Sequence, residues 1–327
     1  MGSKFKNNII QGDLMRLNKL SLLILNVVIA SVSTSVQART WFELGAEYES
    51  YSDKTDEGAT YNYERLNALA PYVRFSHTPV NNEWNVWGKA FVKTYENEDM
   101  YPDGKSTGQT DRVEMYYTKM IRKGNWRFRP GIGFRHNGYE SDRFETEYRF
   151  LPQADYFISS NSQLFLSGHG YIGDAKGKRM SDKSEKDYTD WGYEAEFGWL
   201  YRFDSGDVIK PHLFTEYDSF ENNYDVELWQ LRLTYTKKIG RASITPFIRY
   251  GLGREIVDRS HVDPERWGLS RDNNYHRAGV YGNVGISGKW NVVYEAYYQI
   301  EELHGTYGED LPDRDKSFVK LGIQRIF

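Results

Sequence analysis

From Trp126 to Arg135 the chain reads WRFRPGIGFR, and its residues sort by parity. Trp126, Phe128, Pro130, Ile132 and Phe134 share one face of an extended strand, and Arg127, Arg129, Gly131, Gly133 and Arg135 share the other. A period of two belongs to β-strands, whose successive side chains point to opposite faces. The same alternation recurs downstream and upstream. Tyr193, Ala195, Phe197, Trp199, Tyr201 and Phe203 oppose Glu194, Glu196, Gly198, Leu200 and Arg202. Ile244, Pro246, Ile248, Tyr250 and Leu252 oppose Ser243, Thr245, Phe247, Arg249 and Gly251. Phe42, Leu44, Ala46 and Tyr48 oppose Glu43, Gly45, Glu47 and Glu49. Strands that are oily on one side and ionised on the other form a wall between two environments.

About fourteen such segments follow residue 38: 41–51, 65–77, 84–96, 111–122, 126–138, 145–158, 163–174, 189–203, 208–219, 226–238, 242–256, 275–287, 290–303 and 317–327. Their connections alternate in length. Long, charged ones such as NEDMYPDGKSTGQT and VDRSHVDPERWGLSRDNN follow odd-numbered segments, and short ones such as KGN, DSGD, IGR and SGK follow even-numbered segments. Long extracellular loops, short periplasmic turns and an even strand number are features of outer-membrane barrels. The fold expected is therefore all-β: a transmembrane antiparallel β-barrel of about fourteen strands in up-and-down meander order. A soluble barrel of that size is unfavourable, because about eight strands already enclose all the space that side chains can fill. Lipid covers the apolar faces instead, and closure pairs every strand edge, as hydrocarbon requires. Either parity fits the seventh segment, QLFLSGHGYIG.

A mean hydropathy of -0.72 agrees with this arrangement, in which only one face of each strand is oily. No apolar run after the N-terminus approaches the ~20 residues of a spanning helix. Met15–Ala38, MRLNKLSLLILNVVIASVSTSVQA, has basic residues, an apolar stretch and small residues at the -3 and -1 positions of a cleavage site. That is the build of a secretory signal. Residues 1–38 are expected to be an N-terminal extension and cleaved signal peptide, and 39–327 a single barrel domain. The absence of cysteine suits export into an oxidising compartment. Trp41, Trp84, Trp126, Trp290 and Tyr51 stand near strand ends and are expected to form an interfacial girdle.

With the apolar faces outward, the pore lining predicted from parity is Arg74, Lys89, Lys93, Arg112, Arg127, Arg129, Arg135, Arg149, Arg202, Lys210, Arg232, Arg249 and Arg277, with Glu43, Glu47, Glu114, Asp155, Glu194, Glu196, Glu216 and Glu295. Arg or Lys on the lipid face at mid-depth costs ~2–4 kcal/mol, which makes an aqueous lumen the favourable place for them. Basic residues dominate segments two to six, and glutamates concentrate on one and eight. Either the charges pair and keep the lumen wet, or their segregation sets up a transverse field that filters solutes.

LGAEY (Leu44–Tyr48), GFRHNGY (Gly133–Tyr139), ITPFIRYGL (Ile244–Leu252) and YHRAGVYG (Tyr275–Gly282) resemble segments of the monomeric outer-membrane porin G (OmpG) family. The resemblance implies a monomeric fourteen-stranded barrel and a wide, poorly selective pore. It further implies that the loop between strands eleven and twelve, here 257–274, covers the mouth and gates it through a pair of histidines. The aligned positions hold Asn273 and Leu303, so His261, His276 and His304 are the candidate gating residues.

The function expected is passive diffusion of ions, sugars and oligosaccharides across the outer membrane of a Gram-negative bacterium, reached after Sec export. No cofactor, metal or nucleic acid is expected. The expected partners are outer-membrane lipids and lipopolysaccharide, the diffusing solutes, and the barrel-assembly machinery through the terminal Phe327. One alternative is a channel specific for acidic oligosaccharides, of the oligogalacturonate type, using the basic run and the inward Tyr72, Trp87 and Phe91. Another is an outer-membrane enzyme, although none of the seven histidines lies in a motif with a suitably spaced nucleophile. In the last segment Arg325 shares the parity of outward Val319, Leu321 and Ile323, which requires it to snorkel to the interface.

Overall fold

The computed structural model describes residues 39–56, 59–61, 63–95, 109–139, 143–178, 185–221, 224–258, 268–270, 274–304 and 310–327. The expected signal peptide lies outside them. Fourteen antiparallel strands close into one barrel in meander order. They are β1 (Arg39–Tyr51), β2 (Ala68–Thr78), β3 (Trp84–Tyr95), β4 (Gln109–Lys119, continued by Ile121–Lys123) and β5 (Trp126–Phe128, continued by Gly131–Tyr139). Then come β6 (Arg143–Leu151, continued by Ala154–Phe157), β7 (Ser162–Lys178), β8 (Glu185–Arg202), β9 (Val208–Ser219) and β10 (Tyr224–Ile239). The last four are β11 (Ala242–Asp258), β12 (Tyr275–Ser287), β13 (Trp290–His304) and β14 (Asp310–Ile326). β1 pairs with β14 from Trp41 opposite Ile326 to Tyr51 opposite Lys316, and this seam closes the cylinder.

Parity holds as read. Ile132, Phe197, Ile248 and Leu321 project outward with more than half of their surface exposed, while Glu43, Thr245 and Phe247 are buried on the inner side. In β7, Leu164, Leu166 and Ile172 are exposed and Phe165 and Tyr171 buried, which fixes the parity left open in the sequence. Among the described residues the outward apolar face has no packing partner, and hydrocarbon covers such a face. The protein is thus an outer-membrane β-barrel.

Departures from regular pairing have local causes. Pro130 in β5 and Pro152 in β6 cannot donate to the ladder, and the strands break beside them. The Lys119 amide then donates to the Pro130 carbonyl at 2.9 Å and the Arg129 amide to that of Gln153 at 2.8 Å. At the short turns, Gly124 and Gly240 take φ of 57°, a left-handed conformation that glycine adopts without strain. Between β10 and β11 the register slips at Trp229/Gln230, so that Trp229 faces Gly253 and Gln230 faces Gly251. The extra residue brings both Arg249 and Arg254 to the inner face, which strict alternation forbids. β14 begins at Asp310, earlier than the 317 expected, because Arg314 bonds Glu301 of β13 at 2.6 Å. Beyond the lipid band water covers both faces, so apolar alternation is no longer required.

The expected aromatic girdle forms in part. Trp126 lies beside Phe128 and Tyr156 with centroids 5.5 and 5.0 Å away, and Trp199 stands in a row with Tyr201 and Phe203. Trp84 lies between His77 and Tyr117. Trp41 and Tyr51 do not join the girdle. Both share the inward parity of Glu43, with Arg74 over the Trp41 ring and Lys316 over the Tyr51 ring. Arg325 does face outward, held between Trp290 at 5.2 Å and Phe327 at 4.9 Å near the chain's end.

Candidate functional site

The inner wall is a lattice of charges held by strand register. At the seam, Glu43 is 1% exposed and accepts from Tyr72 Oη at 2.8 Å, Arg74 Nη1 at 3.4 Å and Gln324 Nε2 at 3.3 Å. The Tyr72 ring passes over Gly45 and Gly322, where any Cβ would stand about 2.5 Å from its hydroxyl. One register step toward the mouth, Lys89 Nζ meets Glu47 at 2.7 Å. Lys93 and Lys316 then share Glu49 at 2.7 and 2.9 Å. The small residues Ala68 and Ala70 of β2 leave room for Lys89 and Lys93 to cross from β3 to β1, and a recess of about 330 Å³ lies among Glu47, Glu49, Lys89, Lys93 and Arg112.

The basic run continues around the wall, and a carboxylate or amide answers each member. Asp155, 1% exposed, takes Arg127 at 2.8 Å and Arg129 at 3.2 Å. Arg135 lies 3.2 Å from Glu114 and 3.6 Å from Glu147, and Arg149 bonds Glu147 through Nε at 2.7 Å. Arg112 donates to Asn137 at 2.7 Å, and Asn137 in turn to Glu145 at 2.9 Å. The cationic track expected on strands two to six is therefore largely neutralised. Its carboxylates come from β1 as well as from within the run, so the basic half of the segregation read along the sequence disappears once the strands are in register.

On β8 and β9 the balance tips to acid. Glu194 faces Glu216 directly across the pair, and the His169 ring lies 4.0 Å from Glu194. Asp218, beside them, accepts from Tyr171 at 2.7 Å. Glu196 gathers Lys210 at 3.1 Å, His212 at 3.6 Å and Arg232 at 3.3 Å. Glu295 pairs with Lys320 at 3.5 Å, and Arg202 is exposed at the turn end of β8. On β10 to β12 the balance tips the other way: Arg232, Arg249 and Arg277 stand side by side in register.

Of the candidate gating residues, His261 and most of loop 257–274 lie outside the described residues, as does the side chain of His304. His276 stands at the rim, its Nδ1 accepting from the Gly251 amide at 3.3 Å and its Nε2 3.4 Å from Glu302. Sequence reasoning missed Arg254, Arg314 and Lys316, which complete the ionic lattice near the mouth. Arg254 reaches Glu301 at 2.8 Å only because of the bulge in β11. The neutral Gln230 and Gln299 were also missed; only cross-strand register could have found them. Among the described residues no group of three or more His, Asp or Glu could hold a metal ion.

No family model matches the chain. Over 300 residues it is 23% identical to outer membrane porin G of Escherichia coli (strain K12), covering 88% of this chain and 91% of that protein. The chain resembles porin G. The likeness to porin G read from four short segments thus extends through the whole barrel. Among solved structures, a Pseudomonas aeruginosa FadL homologue matches with a TM-score of 0.51 at 9% identity, covering 89% of this chain and 90% of that one. A deltaS2 mutant of the TodX monoaromatic hydrocarbon channel matches with a TM-score of 0.50 at 8% identity, covering 88% and 90%. At such identities these two speak for the barrel fold alone.

Proposed function

We propose that the protein is a passive pore of the outer membrane, conducting ions, sugars and oligosaccharides through a water-filled lumen, with no chemical step and no cofactor. One observation carries this reading: inward ionised side chains at several places around the wall keep solvent contact. Arg74, Arg129 and Glu194 retain 35%, 32% and 39% side-chain exposure although each faces into the barrel. A packed plug would desolvate them at a cost of several kcal/mol per ion. The resemblance to porin G supports the same reading, and a single closed barrel needs no second copy to seal an edge, which favours a monomer. Outer-membrane lipid and lipopolysaccharide are the natural cover for the apolar band. The terminal Phe327, 39% exposed beside Arg325, is available to the barrel-assembly machinery.

The test is conductance of the purified protein in a planar bilayer, together with swelling of proteoliposomes in sugars of increasing size. A large, steady KCl conductance and swelling that falls off only with oligosaccharides are expected. A protein that inserts and passes no current refutes the pore.

A further inference from the structure

Arg232 of β10, Arg249 of β11 and Arg277 of β12 are direct cross-strand partners, so their Cα atoms lie on one rung of the inner wall. Neighbouring strands are about 4.8 Å apart, so Arg249 stands one strand away from an arginine on either side. Elsewhere on the wall such proximity is relieved by interleaved carboxylates. Here it is not. Arg277 donates through Nε at 2.9 Å and Nη2 at 2.6 Å to the carbonyl oxygen of Gln299. Arg232 donates in the same way, at 2.9 and 2.8 Å, to that of Gln230. A glutamine oxygen orients a guanidinium without cancelling its charge. Among the described residues Arg249 makes no hydrogen bond or ion pair, and Arg277 meets no carboxylate. Among those residues Arg232 pairs with Glu196 alone, which Lys210 and His212 share. Of the other acids nearby, Glu301 is committed to Arg254 and Arg314 and Glu295 to Lys320, while Glu194 forms no ion pair with the three among the described residues.

Aromatic faces back the row. Arg232 lies 3.3 Å from the Phe214 ring centroid, Arg277 4.1 Å from that of Tyr297, and Arg249 5.5 Å from that of Phe247. Rings hold the planar groups without consuming their charge. Like charges held together with neutral props favour an anion with two or more oxygens, which guanidinium groups bind in a forked geometry.

We propose that Arg232, Arg249 and Arg277 form an anion subsite on the lumen wall that briefly retains passing solutes bearing a carboxylate or a phosphate. The inference rests on the pore reading and assigns it a preferred class of solute. Retention must be weak enough for release, as conduction requires.

The experiment uses the full barrel. Inorganic phosphate, D-glucuronate and uncharged D-glucose are each titrated against the single-channel KCl current, and binding to the detergent-solubilised barrel is followed by calorimetry, which needs no conduction. Phosphate, glucuronate or both are expected to interrupt the current and bind, while glucose does neither. Action by only one identifies the source of the anion. Arg249→Gln and Arg277→Gln should each weaken the anion effect by about tenfold to a hundredfold, the loss of one charge-assisted hydrogen bond. The strand signal in circular dichroism, which does not depend on lumen charge, certifies that the variants fold. Equal effects of anions and glucose, or anion effects untouched by either substitution, overturn the subsite. Anion binding without any KCl current keeps the subsite and overturns the pore.

Discussion

Replacing Ile248 by arginine tests the orientation on which the functional reading depends. Ile248 is outward and 55% exposed, midway between Ile244 and Leu252 on the same face of β11. At about 3.4 Å per residue and a tilt near 40°, those two residues span roughly 20 Å of height. That fills most of an apolar band about 25 Å tall, so Ile248 sits near its middle. Arginine there should destabilise the barrel by about 2–4 kcal/mol. The equilibrium between folded and unfolded protein would then shift by roughly 30- to 1000-fold. The adjacent exchange Arg249→Ile removes an unpaired cation from water and should change stability by no more than about 0.5 kcal/mol, as at most solvated sites. Both are measured by urea unfolding in lipid vesicles, followed by tryptophan fluorescence and extrapolated linearly. Equal costs at the two positions, or a larger one at 249, would refute the assignment of faces.

Glu43→Gln should cost about 1–3 kcal/mol in the same assay, because the buried carboxylate gathers three donors from β2 and β14 and the amide cannot serve them all; a neutral result would mean that the seam does not depend on it. Asp207, in the turn between β8 and β9, accepts from the Lys238 amide at 3.2 Å and the Tyr235 hydroxyl at 3.0 Å, and these bonds hold its carboxyl below the usual aspartate range. A depressed folded-state value means that its contribution is present above the unfolded value and is lost as pH falls through the folded one. A carboxyl-labelled NMR titration should therefore find Asp207 titrating below about 3.9, and Asp207→Asn should abolish that step.

What could be read in advance was whatever repeats with period two. Ile244 to Leu252 declared their faces because an inner and an outer solvent act on alternate residues. The turns declared themselves through Gly124 and Gly240, since few other residues take a left-handed φ. Pairing was not legible in the same way. That Asp155 serves Arg127 and Arg129, or that Glu49 lies between Lys93 and Lys316, depends on the relative stagger of strands far apart in sequence, and alternation carries no information about stagger. The same blindness made segments two to six look like a cationic track, when their neutralising partners stand on β1, β4 and β6. The bulge opposite Trp229 flips parity within β11 and so conceals Arg254. Trp41 is different: it shares a face with Glu43, and strict attention to parity would have placed it inside.

The seam between β1 and β14 has a kinetic consequence. Trp41 cannot meet Ile326 until every intervening hairpin is available, so the last contacts made join residues from opposite ends of the chain. Loop closure of that length precedes any reward from the bonds it permits, and chains rich in such distant contacts acquire their structure slowly. An incomplete barrel meanwhile presents two unpaired edges to hydrocarbon, where each unsatisfied amide costs several kcal/mol. The final rung should therefore set the pace of insertion, and shortening β14 by a few residues should slow assembly far more than it weakens the finished wall.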